Sequence, residues 1–207
     1  GRRRYAGDAM QATHCAPSAP ASHRGDDVVA RLRQSEIFRD YQDAFQTATG
    51  LPLVLREAGS FQPPLHGAKQ TNRLCVILTG SSRTCASCLQ VQQEVEREPG
   101  AEGKTVRCFA GLAESVVPVR VGEQIIAYLQ TGQVMTQPPT EQGFRAALAE
   151  LARWRASVDV ELLRRAYFET RVLPKARYHA ALRLLASFAQ HLSLLSNELM
   201  IRSAAAE

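Results

Sequence analysis

The sequence predicts a mixed α/β (α+β) domain: an antiparallel sheet flanked by helices, with one long C-terminal helix. Three observations carry this. Apolar residues recur at helical spacing through residues 28–49 and again beyond residue 140. Three strand-like runs, 106–112, 116–121 and 124–134, follow one another closely, with Gly122-Glu123 as a hairpin turn between the last two. Finally, Ala181, Leu185, Phe188, Leu192, Leu195 and Leu199 are spaced 4, 3, 4, 3, 4, a heptad seam along a helix over 175–203.

The elements follow in order. Residues 1–26 are rich in Arg, Ala, Pro, Ser and Gly without a period, and read as a poorly ordered leader. Arg2, Arg3 and Arg4 read as a solvated tail rather than a phosphate grip. In the helix over 28–49, Val28, Leu32, Ile37, Phe38, Tyr41 and Phe45 recur close to helical spacing and Gly50 stops the run. Residues 51–55 read as a strand with Pro52 at its start, where a missing N–H is tolerated. Pro63, Pro64 and Gly67 make 57–67 a loop, with room for a short strand. Residues 69–79 and 84–97 read as helices, with Thr84 as the second one's N-cap. After the turn at 98–104 come the three strands; Gly132 marks a bulge or a close backbone approach in the last. Helices over 141–156 and 159–170 precede Pro174 and the final helix. The domain reading is a leader over 1–26, a core domain over 27–174, and a C-terminal helix over 175–207.

Composition bounds the function. There are 25 Lys and Arg against 20 Asp and Glu, net +5, with the cations dispersed, which argues against a nucleic-acid face. With 45% hydrophobic and 22% charged residues the chain is neither disordered as a whole nor a disulfide scaffold. Its apolar runs fall well short of the roughly 18 residues a bilayer span needs. No apolar stretch follows the basic start, so the expectation is a cytoplasmic protein with no membrane contact. Gly1 at the start and a last helix that runs to Glu207 without a stop signal suggest a piece cut from a longer protein.

Of the five cysteines, Cys15 lies in the leader. Cys75, Cys85, Cys88 and Cys108 have the spacing C-x9-C-x2-C-x19-C. Four thiolates satisfy tetrahedral zinc or an iron–sulfur cluster, and a cytosolic chain rarely spends cysteines on structural disulfides. Free core thiols and disulfides stay open alternatives. In the first turn of the helix over 84–97, backbone amides would lower the thiol pKa of Cys85 and Cys88.

Several short motifs then occur in one order: Leu74-Cys75, Cys85-x-x-Cys88, Cys108-Phe109-Ala110-Gly111-Leu112, Pro118 and Thr131-Gly132-Gln133-Val134. Over roughly residues 35–200 the chain resembles the PocR sensory domain. The resemblance implies a variant of the PAS fold with a small-molecule cavity, and ligands among small hydrocarbon derivatives such as diols. It also implies a following output module, commonly an AraC-type DNA-binding domain or a histidine kinase. The ending Leu195-Ser196-Asn197-Glu198-Leu199 is like the linker before an AraC-type region. One departure stands out: Phe109 occupies a position where the family usually has His. His66 and His179 are the nearest substitutes the sequence offers.

No Walker loop, G-x-S-x-G, H-E-x-x-H or G-x-G-x-x-G is present, so the chain is read as a sensor, not an enzyme. In the first reading a small organic ligand sits against the inner strand faces, contacting Phe109, Gly111, Val117, Tyr128, Gln130 and Gln133. It acts on a homodimer helix built on Leu185, Phe188, Leu192, Leu195 and Leu199. Zinc on Cys75, Cys85, Cys88 and Cys108 braces the helices against the strand of Cys108. DNA is reached only through an output domain absent from this chain. In the second reading the cysteines are the sensor, as an iron–sulfur cluster or a thiol switch.

Overall fold

The computed structural model describes residues 24–60, 65 and 71–205. Of the expected leader, residues 1–23 lie outside these, and 24–26 already belong to a helix. Two helices replace the single expected one: α1 (Arg24–Gln34) and α2 (Glu36–Thr49). The break is Ser35, whose backbone is extended (φ −64°, ψ 144°). Its hydroxyl accepts from the Phe38 amide at 3.2 Å and donates to the Leu32 carbonyl at 2.7 Å, ending one helix and starting the next. Gly50 stops α2 in the left-handed conformation, as expected.

The sheet holds β1 (Leu53–Glu57), β2 (Lys104–Arg107), β3 (Ala113–Val121) and β4 (Gln124–Val134), antiparallel in the order β1-β4-β3-β2. The expected strand over 106–112 is corrected. Strand β2 ends at Arg107, and residues 108–111 form a turn closed by the Gly111 amide on the Cys108 carbonyl at 2.9 Å. Gly111 takes a positive φ of 82°, and β3 starts earlier than expected, at Ala113. At Gly132 the register of β3 against β4 shifts. A Cβ there would lie 2.4 Å from the Ala113 carbonyl oxygen, so both readings of this glycine hold.

Helices α3 (Arg73–Thr79) and α4 (Ser82–Glu96) follow β1 in sequence. Thr84 is not the N-cap of α4. Ser81 holds that position, and Thr84 turns its hydroxyl inward to the carbonyls of Leu78 and Ser81. Helices α5 (Glu141–Arg153) and α6 (Val160–Phe168) are capped by the side chains of Thr140 and Asp159. They pack with α3 through Leu74, Leu78, Phe144, Leu151, Leu163 and Tyr167.

Alternation along the strands gives the sheet two unlike faces. Leu53, Leu55, Val117, Val119, Ala127 and Leu129 point to an apolar layer made by α1, α2 and α7 (Lys175–Ala205). Tyr178, Ala181, Leu185, Phe188 and Leu192 of α7 are buried there. The rings of Tyr41 and Phe188 stack 3.6 Å apart. The Ser115 and Tyr178 hydroxyls meet at 2.7 Å. Further along, the Arg120 amide donates to Ser193 and the Gly122 amide to Asn197. The heptad seam is therefore spent on the domain's own sheet through Leu192, and Leu195 packs against the same core. The expectation that it forms a dimer seam is corrected to that extent. The apolar residues that α7 leaves outward are Leu184, Leu194 and Ile201.

The contrast is measurable. Leu185→Ala should cost about 2–5 kcal/mol in urea unfolding, whereas Leu194→Ala, on the exposed side, should stay within about 0.5 kcal/mol.

Candidate functional site: the polar face of the sheet

The other face of the sheet carries Arg56 on β1, Tyr128 and Gln130 on β4, and Glu114 and Val116 on β3. Helix α4 covers it with Cys88, Gln92, Val95 and Glu96. Polar groups in such an interior must be paired or pay for their lost water.

Arg56 is 3% exposed. Its Nη1 donates to the Ser60 carbonyl at 2.6 Å and to the Ser60 hydroxyl at 2.8 Å. Its Nη2 is ion-paired with Oε1 of Glu96, and the guanidinium lies 5.7 Å from the centre of the Tyr128 ring. Burial lowers the Arg56 pKa to about 10. Gln92 bridges the layers: it receives the Gln130 amide at 2.7 Å and donates its own to Glu96. Arg56 Nε, Gln130 Oε1 and Glu114 Oε2 are buried without a hydrogen bond. Beside this row opens a pocket of about 340 Å³, walled by Ser60, Leu89, Gln92, Gln93, Glu96 and Tyr128.

Glu114 is buried, which pushes its carboxyl well above the ordinary range. Cys75, Cys88 and Cys108 are free, partly buried thiols, each of which feels the Glu114 carboxyl. Burial pushes Cys88 up to about 12 and Cys108 up to about 11, and Cys75 also rises. The expected lowering at Cys88 is corrected: α4 begins at Ser82, which puts Cys88 beyond the helix's first turn, and desolvation dominates. Cys85, also buried, is disulfide-bonded. Among the described residues no three or more His, Cys, Asp or Glu side chains converge to hold a metal ion.

The six residues expected around a ligand do not share one place. Tyr128 lines the pocket and Gln130 stands behind it, held by Gln92. Val117 points to the apolar layer instead, because it is one residue out of step with Val116. Phe109 lies in the turn, its ring edge-on to Trp154 at 4.8 Å. Gly111 closes that turn. Gln133 anchors α3: its side-chain oxygen accepts from the Asn72 amide at 2.8 Å, and its carbonyl accepts from the Asn72 side chain at 2.8 Å. Asn72 in turn caps α3. His179 is exposed on α7, and His66 lies outside the described residues. Arg56, Gln92, Glu96 and Glu114 were not singled out from the sequence. The available signal was a charge inside an apolar strand, in Leu53-Val54-Leu55-Arg56 and in Leu112-Ala113-Glu114-Ser115-Val116.

The sheet order, the turn at 108–111 and the Gly132-Gln133 segment set the motifs of the sequence into one structural frame. The family model of the sensory domain found in PocR matches residues 32–197. The chain belongs to the PocR sensory-domain family. Its role is accordingly sensory. No curated protein and no solved structure gives a significant match. No helix among the described residues is long and apolar enough to cross a membrane.

Glu114 yields a pH prediction. The unfolded chain loses this proton near the ordinary carboxylate value, and the folded domain only well above it. Between those values the folded state holds the extra proton, so stability falls as pH rises. Glu114→Gln should flatten that slope in urea unfolding measured at a series of pH values from 4 upward.

Proposed function

We propose that this PocR sensory domain binds a small organic molecule between α4 and the polar face of the sheet, and passes the signal through α7. The observation that carries this is the pair of buried, unpartnered polar atoms, Arg56 Nε and Gln130 Oε1, beside a pocket of about 340 Å³. A pocket of that size with a few converging polar groups suits a small ligand, and orphaned polar atoms are costly unless a bound group or water meets them. Strand β3 links the two sides: Glu114 and Val116 face the pocket layer, while Ser115 and Val117 face α7. A shift of β3 on binding reaches Tyr178 through the Ser115 hydroxyl.

The wider reading is a cytoplasmic transcriptional regulator with no enzymatic activity of its own. It acts as a homodimer and contacts DNA only through an AraC-type output domain outside this chain. Since Leu185, Phe188 and Leu192 are buried, dimerisation along α7 would use its outward Leu184, Leu194 and Ile201. Zinc on Cys75, Cys85, Cys88 and Cys108 would brace α3 and α4 against the turn before β3. That requires the thiols to swing together and the Cys85 disulfide to be reduced. The disulfide at Cys85 beside three free thiols favours, as the second reading, a thiol switch or a cysteine-bound iron–sulfur cluster. The other three thiols, held protonated by burial, are poor nucleophiles.

Thermal unfolding against a library of small metabolites tests the ligand reading. A true ligand at a hundred times its Kd adds about 2.7 kcal/mol, and Gln93→Trp, which fills the pocket from the exposed side, should abolish that gain while leaving the unliganded Tm in place. A hit that survives Gln93→Trp would place the ligand elsewhere. Elemental analysis of protein purified without oxygen and with reductant should find about one zinc per chain. Iron with sulfide would replace zinc by a cluster, and no metal would remove the metal brace.

A further inference from the structure

The chemistry of the pocket can be narrowed from the state of Arg56, on the reading that the domain senses a small molecule. A guanidinium presents flat edges that match a carboxylate with two parallel N–H···O bonds. In Arg56 the Nη1 side is used up, donating twice to Ser60. Nε, which makes no hydrogen bond, and Nη2, ion-paired with Glu96, form the side edge of the same guanidinium. What meets this edge is Glu96, ion-paired to Nη2. We propose that the pocket binds a small organic carboxylate, seated side-on across the Nε–Nη2 edge of Arg56 in place of Glu96.

Glu96 is a weak occupant for a physical reason. It is the last residue of α4, where the unpaired carbonyls of the helix end repel a negative charge. Held at the helix end, it leaves Nε without a hydrogen bond, whereas a free ligand carboxylate carries no helix with it and can meet both nitrogens. The lowered pKa of Arg56 agrees with a buried charge that is incompletely compensated. Glu96 lines the pocket and is still 17% exposed at its side chain, so it can turn outward without unfolding α4. Its departure also frees the Gln92 side-chain amide, which now donates to Glu96 and can then donate to the ligand. Leu89 and the ring of Tyr128 form the apolar part of the wall, which suits a short hydrocarbon tail behind the acid group. Because Gln92 also receives Gln130 of β4, the exchange of Glu96 for a ligand is felt in the sheet.

The test is calorimetric titration and thermal unfolding of the chain with butyrate and benzoate, against butyramide, benzamide and 1,4-butanediol. The two acids should bind saturably and raise Tm, and the three neutral probes should not. Glu96→Gln removes the competing charge and should tighten acid binding about tenfold. Arg56→Lys, which keeps the charge but not the fork, should weaken it more than tenfold. Should Arg56→Lys fail to fold, Glu96→Gln decides alone. Neutral probes binding as tightly as the acids would overturn the carboxylate while leaving a small-molecule sensor intact. Acid binding left unchanged or weakened by Glu96→Gln would overturn the seat on Arg56. Binding of none of the five probes would overturn the carboxylate proposal, and the sensor reading would then stand or fall by the metabolite library.

Discussion

The β3–β4 ladder is buried on both sides, and the rest of the molecule follows from that constraint. From Ala113 to Val119 and from Ile126 to Val134 every residue is buried. Each side chain must be matched by one of two helical layers, and neighbouring residues answer to different ones. Val117 and Val119 call for apolar cover and receive α1, α2 and α7. Gln130 calls for polar cover and receives Gln92 of α4. The domain is thus a well-packed apolar wall on one side and an underpaired polar layer on the other.

This division assigns α7 two tasks along one helix. Its inward stripe is structural: Tyr178, Leu185, Phe188 and Leu192 supply much of the apolar layer. Hydrogen bonds to Ser193 and Asn197 extend the attachment along β3 to the hairpin. A helix held along its length by one strand responds to that strand as a unit. A change on the pocket side of β3 would therefore reach α7 as a displacement of the whole helix rather than by local unfolding.

The cysteines illustrate how burial overrides local sequence logic. Their spacing and their place near a helix start point to activated thiols. In the fold Cys88 and Cys108 are buried within electrostatic reach of the Glu114 carboxyl, and desolvation raises both thiols. Thiols in this setting hold their protons until something positive replaces them or an oxidant reaches them.

Alternation, glycine positions and heptad spacing were enough to read the class of fold, the β3–β4 hairpin and the extent of α7, because each is a local property of consecutive residues. The ordered motifs around Cys108-Phe109-Ala110-Gly111-Leu112 and Gly132-Gln133 were enough for the family. Local pattern failed where a single side chain redirected the backbone: Ser35 split one helix into two, and the turn closed by Gly111 removed the end of a strand. Strand phase was legible only to within one residue, which left Tyr128 and Gln130 beside the pocket and sent Val117 to the opposite layer. The heptad seam specified a partner surface without saying which, and tertiary packing chose the domain's own sheet. The meeting of Arg56, Glu96, Gln92 and Gln130 joins positions from three separate stretches of chain. Such a site has no local signature beyond a charge in an apolar strand, and only folding brings it together.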